Sequence, residues 1–123
     1  MCFRISERAR PWKQRYVWKV LELKKGGVLG GPYYAGLEWQ PGMVKAKGNE
    51  WWSSRDVVSG VARHGIYVFK TEAEARREQR RWDCVVIVKL RVDPKDFLYT
   101  DGKAQATYKK VRLLEKQDEI EFY

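Results

Sequence analysis

Residues 71–92 read TEAEARREQRRWDCVVIVKLRV, in which a helix signal is followed at once by the most apolar run of the chain. Thr71 is a favourable N-cap, and Glu74 follows it at the spacing of a capping box. Acidic residues occupy the first turn and arginines the last, as the helix macrodipole favours. The pattern predicts a helix over residues 72–82.

The run that follows this helix, residues 84–92, predicts a strand. Alternate residues of a strand point to opposite faces. One face of this strand is wholly apolar, whereas the other begins with Val85 and Ile87 and ends with Lys89 and Arg91. We expect a central strand that is covered on both faces at its start and open to solvent on one face later.

Other runs rich in β-branched and aromatic residues predict five further strands. They cover residues 2–6, 16–24, 43–47, 66–69 and 107–114. Residues 26–48 are rich in glycine and predict a long crossing loop that contains the strand 43–47. Together these elements predict an α+β fold, in which a curved, mainly antiparallel sheet of five or six strands carries the helix on one face. We expect residues 1–123 to form a single domain.

The composition narrows the class of protein. The 123 residues hold 25 Lys+Arg against 16 Asp+Glu, which gives a formal net charge of +9. The longest apolar run, residues 84–88, is far shorter than the roughly 20 residues of a membrane-spanning helix. Residues 1–20 interleave charged with apolar residues and predict no signal peptide, so we expect an intracellular protein without a membrane partner. One histidine and two cysteines cannot complete a four-ligand His/Cys zinc site, and we expect no metal and no cofactor.

One face of the predicted helix is basic. It carries Arg76, Arg77, Arg80 and Arg81. Four guanidinium groups on one face are suited to bidentate binding of phosphates or of an acidic partner. The alternative is a solvated face that is partly neutralised by Glu74 and Glu78 at i,i+3 spacing. The sequence leaves both interpretations open.

A second basic surface is predicted on the sheet. Lys89 and Arg91 share the face of one strand, and Lys110 and Arg112 share the face of another. If these two strands pair antiparallel, the four cations lie together and form a second candidate surface for nucleic acid or a protein partner.

Aromatic residues make up 14% of the chain, and five of them crowd into the glycine-rich segment and the residues just after it. The aromatic and basic candidates there are Trp39, Lys45, Lys47, Trp51, Trp52 and Arg55. Rings that stack on bases and cations that hold the backbone are what a surface for single-stranded nucleic acid requires. A protein–protein hot spot uses the same residue types, and a small core that pins a long loop would use the rings alone.

Catalytic residue types are present without a catalytic pattern. Asp56, Ser59 and His64 supply the types of a hydrolase triad, but a triad is recognised by geometry rather than by proximity in sequence. Cys2 would become an N-terminal nucleophile if Met1 were removed, although a plain strand cysteine is the simpler interpretation. We therefore assign no catalytic residue.

Several short motifs follow one another along the chain: Met1-Cys2, Gly65-Ile66-Tyr67, Thr71-Glu72-Ala73-Glu74-Ala75 and the run of residues 85–90. In this order they resemble a family of small phage and bacterial mobile-element proteins of unassigned activity. These proteins share an MC start, a G-[FI]-[HY] strand, an E-A helix and a V-V-V-K strand. The resemblance implies a phage or mobile-element protein in the cytoplasm of a bacterial host, where such small basic proteins often interfere with host machinery. A weaker likeness, in strand–helix–strand order only, is to compact ADP-ribosyltransferase domains.

Three functions remain open on this basis. The first, which we favour, is a non-enzymatic protein whose basic face binds nucleic acid or a nucleic-acid-handling complex such as a host defence complex. The second is a small enzyme, either nucleotide-modifying in the manner of an ADP-ribosyltransferase or cysteine-dependent. The third is a virion structural or assembly protein that self-associates through exposed tryptophan and tyrosine side chains.

Overall fold

A computed structural model of the chain describes residues 3–23, 29–30, 38–45, 57–58, 61–62, 65–82 and 84–117. Its strands are β1 (Tyr16–Leu23), β2 (Leu29–Gly30), β3 (Glu38–Trp39), β4 (Gly42–Lys45), β5 (Val57–Val58), β6 (Val61–Ala62), β7 (Ile66–Phe69), β8 (Val85–Arg91), β9 (Phe97–Thr100), β10 (Gln105–Tyr108) and β11 (Lys110–Leu113). The α-helix α1 (Glu72–Gln79) and the 3₁₀ turn η1 (Pro94–Asp96) complete the elements of these residues.

The main sheet is antiparallel and follows the strand order β4-β11-β8-β1-β7-β10-β9. β2 extends the end of β1 and pairs with β3, while β5 and β6 form a separate two-stranded ribbon. α1 packs on β1, β8 and β7. The predicted α+β class is confirmed, with seven strands along the main path of the sheet instead of five or six.

The sheet has to curl around its core, since β10 and β11 are consecutive in the chain but far apart in the strand order. Lys109 alone separates β10 from β11, yet these strands lie near opposite ends of the strand order. The pairing of β10 with β9 shifts register between Thr107 and Tyr108, and the N–H of Lys109 donates to the carbonyl of Asp96 at 2.9 Å. The strand predicted over residues 107–114 is therefore divided in two, because the chain bends there and exchanges β7 and β9 for β8 and β4.

The inner face of the curled sheet forms the main core. It includes Trp12, Val17, Leu21, Val68, Val88, Leu90, Tyr108, Val111 and Leu113. A smaller cluster lies on the outer face, where Ala75 of α1 packs with Val20 and Ile87. β8 is therefore covered on both faces near its start and open on its outer face at Lys89 and Arg91, as its alternating sequence predicts.

The helix α1 begins where the sequence predicts and ends earlier. The Oγ1 atom of Thr71 accepts a hydrogen bond from the N–H of Glu74 at 3.3 Å, which is the predicted cap. The helix ends at Gln79 rather than at residue 82, since the N–H groups that follow bond three residues back instead of four. Trp82 is 38% exposed, and Cys84 stands before β8 in an exposed left-handed turn with φ +56°.

The N-terminal segment lies against the β7–β9 side of the sheet. Within the described residues, the strand predicted over residues 2–6 is reduced to a single bridge at Arg4. Phe3 is buried and packs edge-on against Tyr67, with the ring centroids 5.8 Å apart. The N–H of Ser6 donates to the carbonyl of Thr100 at 2.9 Å. The segment therefore closes this side of the outer face.

Candidate functional site

A row of four residues crosses the outer face of the sheet beside α1. Arg91 of β8 stands directly opposite Arg112 of β11. On the two sides of this pair, Tyr16 of β1 stands opposite Arg91, and Met43 of β4 stands opposite Arg112. Neighbouring strands lie about 4.8 Å apart, so the row spans roughly 14 Å. All four side chains are exposed, with Tyr16 at 40% and Met43 at 47%.

The adjacent rows add further cations and a second aromatic ring. Lys110 of β11 stands opposite Lys45 of β4, and Lys89 of β8 stands opposite Trp18 of β1. The structure thus brings together the four sheet cations that the sequence places on common strand faces, and it adds Lys45 to them. We call the whole set the basic sheet face: Tyr16, Trp18, Met43, Lys45, Lys89, Arg91, Lys110 and Arg112.

The basic sheet face places like charges directly opposite each other. There are two such cross-strand pairs, Arg91 with Arg112 and Lys45 with Lys110. In the part of the chain that the structure describes, no carboxylate forms an ion pair with Arg91, Arg112 or Lys110. Like charges opposite each other cost a few tenths to about 1 kcal/mol of folding free energy for each pair. A bound anion would remove this cost.

Two aromatic rings hold the ammonium group of Lys89 on this face. The Nζ atom lies 4.5 Å from the ring centroid of Tyr16 and 5.9 Å from that of Trp18, and both distances are within cation–π range. Trp18 also packs against the small cluster under α1, which fixes its position from the helix side. Tyr16 keeps its exposure with Lys89 in place, so ring surface remains available to a ligand.

A groove of about 220 Å³ opens where β8 runs into η1. The Nζ atom of Lys95 lies 3.4 Å from Oδ2 of Asp93, and the backbone N–H of Lys95 donates to Oδ1 at 3.1 Å. The backbone hydrogen bond holds the pKa of Asp93 below its usual value, so this carboxylate is ionised at neutral pH. Cations nevertheless outnumber carboxylates in the lining, which includes Arg15, Arg91, Lys95, Lys110 and Arg112 against Asp93 and Asp96.

A side chain completes the edge of β8 beside Lys89. β11 pairs with β8 at Leu90 and Arg91, and Gln117 supplies the next pair of hydrogen bonds. The N–H of Lys89 donates to Oε1 of Gln117 at 2.8 Å, and Nε2 donates to the carbonyl of Lys89 at 2.8 Å. Nε2 also donates to the carbonyl of Leu114 at 3.0 Å. The amide therefore satisfies both backbone groups of Lys89 and fixes the strand that carries this cation.

The four helix arginines are exposed, and three of them pair with helix glutamates. The N–O distances are 3.1 Å for Arg76–Glu72, 3.4 Å for Arg77–Glu74 and 3.9 Å for Arg81–Glu78. Arg80 is also exposed. Glu78 is buried, whereas the other two pairs are open to solvent and add little stability. Each glutamate offsets the charge that its arginine would offer to an anion. Arg91 and Arg112 of the sheet, by contrast, form no ion pair among the described residues, and we take the sheet as the candidate site.

The aromatic segment is described in part. Trp39 lies in the main core at 2% exposure, and its strand, β3, pairs with β2. Trp39 therefore contributes to the core rather than to a binding surface, whereas Lys45 is exposed on the basic sheet face. Several other candidates lie outside the described residues: Lys47, Trp51, Trp52, Arg55, and with them Cys2, Asp56, Ser59 and His64.

Comparison with known proteins finds no match for the chain among protein families, curated proteins or solved structures. No helix within the described ranges has the length and the apolar character to cross a membrane. The basic sheet face, by its geometry and charge, is therefore the candidate functional site of the described residues.

Proposed function

We propose that this chain is a non-enzymatic nucleic-acid-binding protein and that the basic sheet face is its binding surface. The observation that carries the proposal is the row across four strands, in which Arg91 and Arg112 stand side by side between exposed Tyr16 and Met43. The net charge of +9 supports it, because a basic protein attracts polyanions over long range.

The two arginines favour phosphate as the ligand. A guanidinium group presents its donors in a rigid fork that matches a phosphate in bidentate geometry. Arg91 and Arg112 are on paired strands, about 5 Å apart at the backbone, so they can contact the same phosphate or two successive ones. Their mutual repulsion falls when an anion binds between them, so the same pair that weakens the fold strengthens binding.

A nucleic acid is favoured over an acidic protein because it carries both anionic and flat apolar groups, which the arginines and the aromatic ring of the row can bind. Phosphates suit Arg91 and Arg112, and the flat faces of bases suit the exposed ring of Tyr16. An acidic protein surface supplies carboxylates for the arginines, but it does not repeat an anion beside a flat ring at every unit, as a nucleic-acid strand does. The phage or mobile-element origin that the sequence resemblance implies would suit such a protein, with nucleic acid or a host complex that handles it as the target.

The affinity of the protein for a labelled oligothymidylate is expected to fall linearly with salt on a log–log plot. One phosphate contact for each of Lys89, Arg91, Lys110 and Arg112 predicts a slope of about −3 for a single strand. This slope corresponds to roughly 50-fold weaker binding at about 200 mM salt than at about 50 mM. Fluorescence anisotropy over a salt series measures it. An absence of binding at the lowest salt would contradict the proposal and would direct the search to a protein partner.

A further inference from the structure

We infer that the nucleic acid is bound as a single strand, with one base stacked on Tyr16 and the adjoining phosphates held by Arg91 and Arg112. This inference rests on the proposed function and adds to it the form of the ligand and the residue that selects it. Tyr16 is then a binding residue, because its ring would contact the ligand directly.

The placement of the exposed apolar side chains carries the inference. Among the described residues, the exposed large hydrophobic side chains are Tyr16, Met43 and Trp82. Tyr16 and Met43 stand at the two ends of the row whose middle is formed by Arg91 and Arg112. An aromatic ring that borders cations on an open surface is the arrangement that binds unpaired bases, because the ring stacks on a base while the cations hold the backbone.

The ring of Tyr16 is held in place before any ligand arrives. The backbone carbonyl of Tyr16 accepts a hydrogen bond from Nε2 of Gln14 at 2.7 Å, which fixes the start of the strand. The ammonium of Lys89 lies 4.5 Å from the ring centroid and restricts the side chain. A ring that is already ordered loses less conformational entropy when a base stacks on it, and such preorganisation raises affinity.

A stacking contact distinguishes a single strand from other polyanions. The bases of a duplex are stacked on one another, so a duplex offers the protein its phosphates without a free base. Polyphosphate and the headgroups of anionic lipids also offer phosphate alone. Binding to any of these would use the cations of the basic sheet face and leave the ring of Tyr16 without a partner.

The test compares an oligothymidylate of about 15 nucleotides with an abasic strand that has the same number of phosphates. Wild-type protein is expected to bind the oligothymidylate about tenfold more tightly than the abasic strand, which is within the range measured for stacking of one base on an aromatic side chain. Tyr16→Leu should remove this preference, with little change in affinity for the abasic strand. Tyr16→Phe keeps the ring and should retain the preference.

The outcomes separate this inference from the proposed function. Equal affinity of the wild-type protein for the two strands would overturn the inference and leave the binding of phosphates by the basic sheet face intact. A Tyr16→Leu protein that keeps the full preference for the oligothymidylate would also overturn it, because no base would then be stacked on Tyr16. Failure of the protein to bind any of these oligomers would instead contradict the proposed function. Circular dichroism of both Tyr16 variants shows whether they are folded.

Discussion

Replacement of Gly65 by alanine is expected to lower the free energy of unfolding by about 3 kcal/mol. Gly65 has φ +96°, a backbone conformation that residues with a side chain rarely adopt. An added Cβ would lie 2.9 Å from Cβ of Thr107 and 3.2 Å from the carbonyl oxygen of Tyr108. These are the residues between which β10 shifts register against β9. Because neither atom can move without the backbone, the bend that leads from β10 into β11 requires a glycine at this position.

Gly42→Ala is the matched control for this substitution. Gly42 has φ +114°, but a Cβ added there would meet no heavy atom of the described residues within 4 Å. The variant therefore carries backbone strain without a clash, which predicts a loss of about 1 kcal/mol. Urea denaturation of the two variants measures both losses. Equal destabilisation would contradict the close approach of Gly65 to the bend, whereas a Gly65→Ala protein that is unfolded without urea would support it.

The free energy of unfolding is expected to rise by about 2 kcal/mol between pH 7 and about pH 9.5 because of Lys19. This lysine of β1 is buried, and its Nζ atom donates to the carbonyl of Tyr67 at 2.6 Å and lies 5.8 Å from the ring centroid of Trp39. Desolvation by burial lowers the pKa of Lys19 from 10.5 to about 8. Between these two pKa values the unfolded chain binds the proton more tightly than the folded protein. The cost of burying the charge, about 3 kcal/mol in full, is present below pH 8 and is lost as the pH rises toward 10.5.

Lys19→Met isolates this effect, because methionine fills similar space without a charge. Urea denaturation of the two proteins over this pH range gives the difference between their free energies of unfolding, in which the contributions of the other titrating groups cancel. The range stays below pH 10 because burial raises the pKa of Tyr108 to about 12. Ionisation of that phenol in the unfolded chain would lower stability at higher pH. If the free energies of unfolding of the wild-type protein and of Lys19→Met changed in parallel with pH, the lowered pKa of Lys19 would be contradicted.

Much of the basic sheet face could be predicted because strand alternation is a local property. In residues 85–91 a period of two assigns Lys89 and Arg91 to one face, and the burial of the strand follows that assignment. The same rule places Tyr16 and Trp18 on a common face of β1, so the aromatic part of the site also has a sequence signal. The capped start of α1 is equally local, since Thr71 needs only Glu74 to form its cap.

The remaining features depend on contacts between distant residues, which no local pattern encodes. The break at Lys109 arises because the curled sheet gives β10 and β11 different neighbours. Trp39 is buried because β3 belongs to a hairpin that extends from β1. The hydrogen bonds of Gln117 exist because β11 leaves β8 before it reaches Lys89. Each of these follows from the register of the whole sheet.

The claim that the basic sheet face binds nucleic acid is tested most directly by two charge-matched double variants. Arg91→Gln/Arg112→Gln and Arg76→Gln/Arg77→Gln each remove two positive charges from the formal net charge of +9. Fluorescence anisotropy with the same labelled oligothymidylate, over the same salt series, compares them. The helix variant loses two exposed ion pairs, which contribute little to stability, so it is expected to remain folded.

The two variants are expected to differ strongly in affinity. Loss of two phosphate contacts should make the sheet variant bind about tenfold more weakly near physiological salt and should make its salt slope shallower by about 1.4. The helix variant should bind within about twofold of the wild-type protein, with an unchanged slope. An equal loss of affinity in both variants, or a larger loss in the helix variant, would contradict the assignment of the binding surface to the sheet.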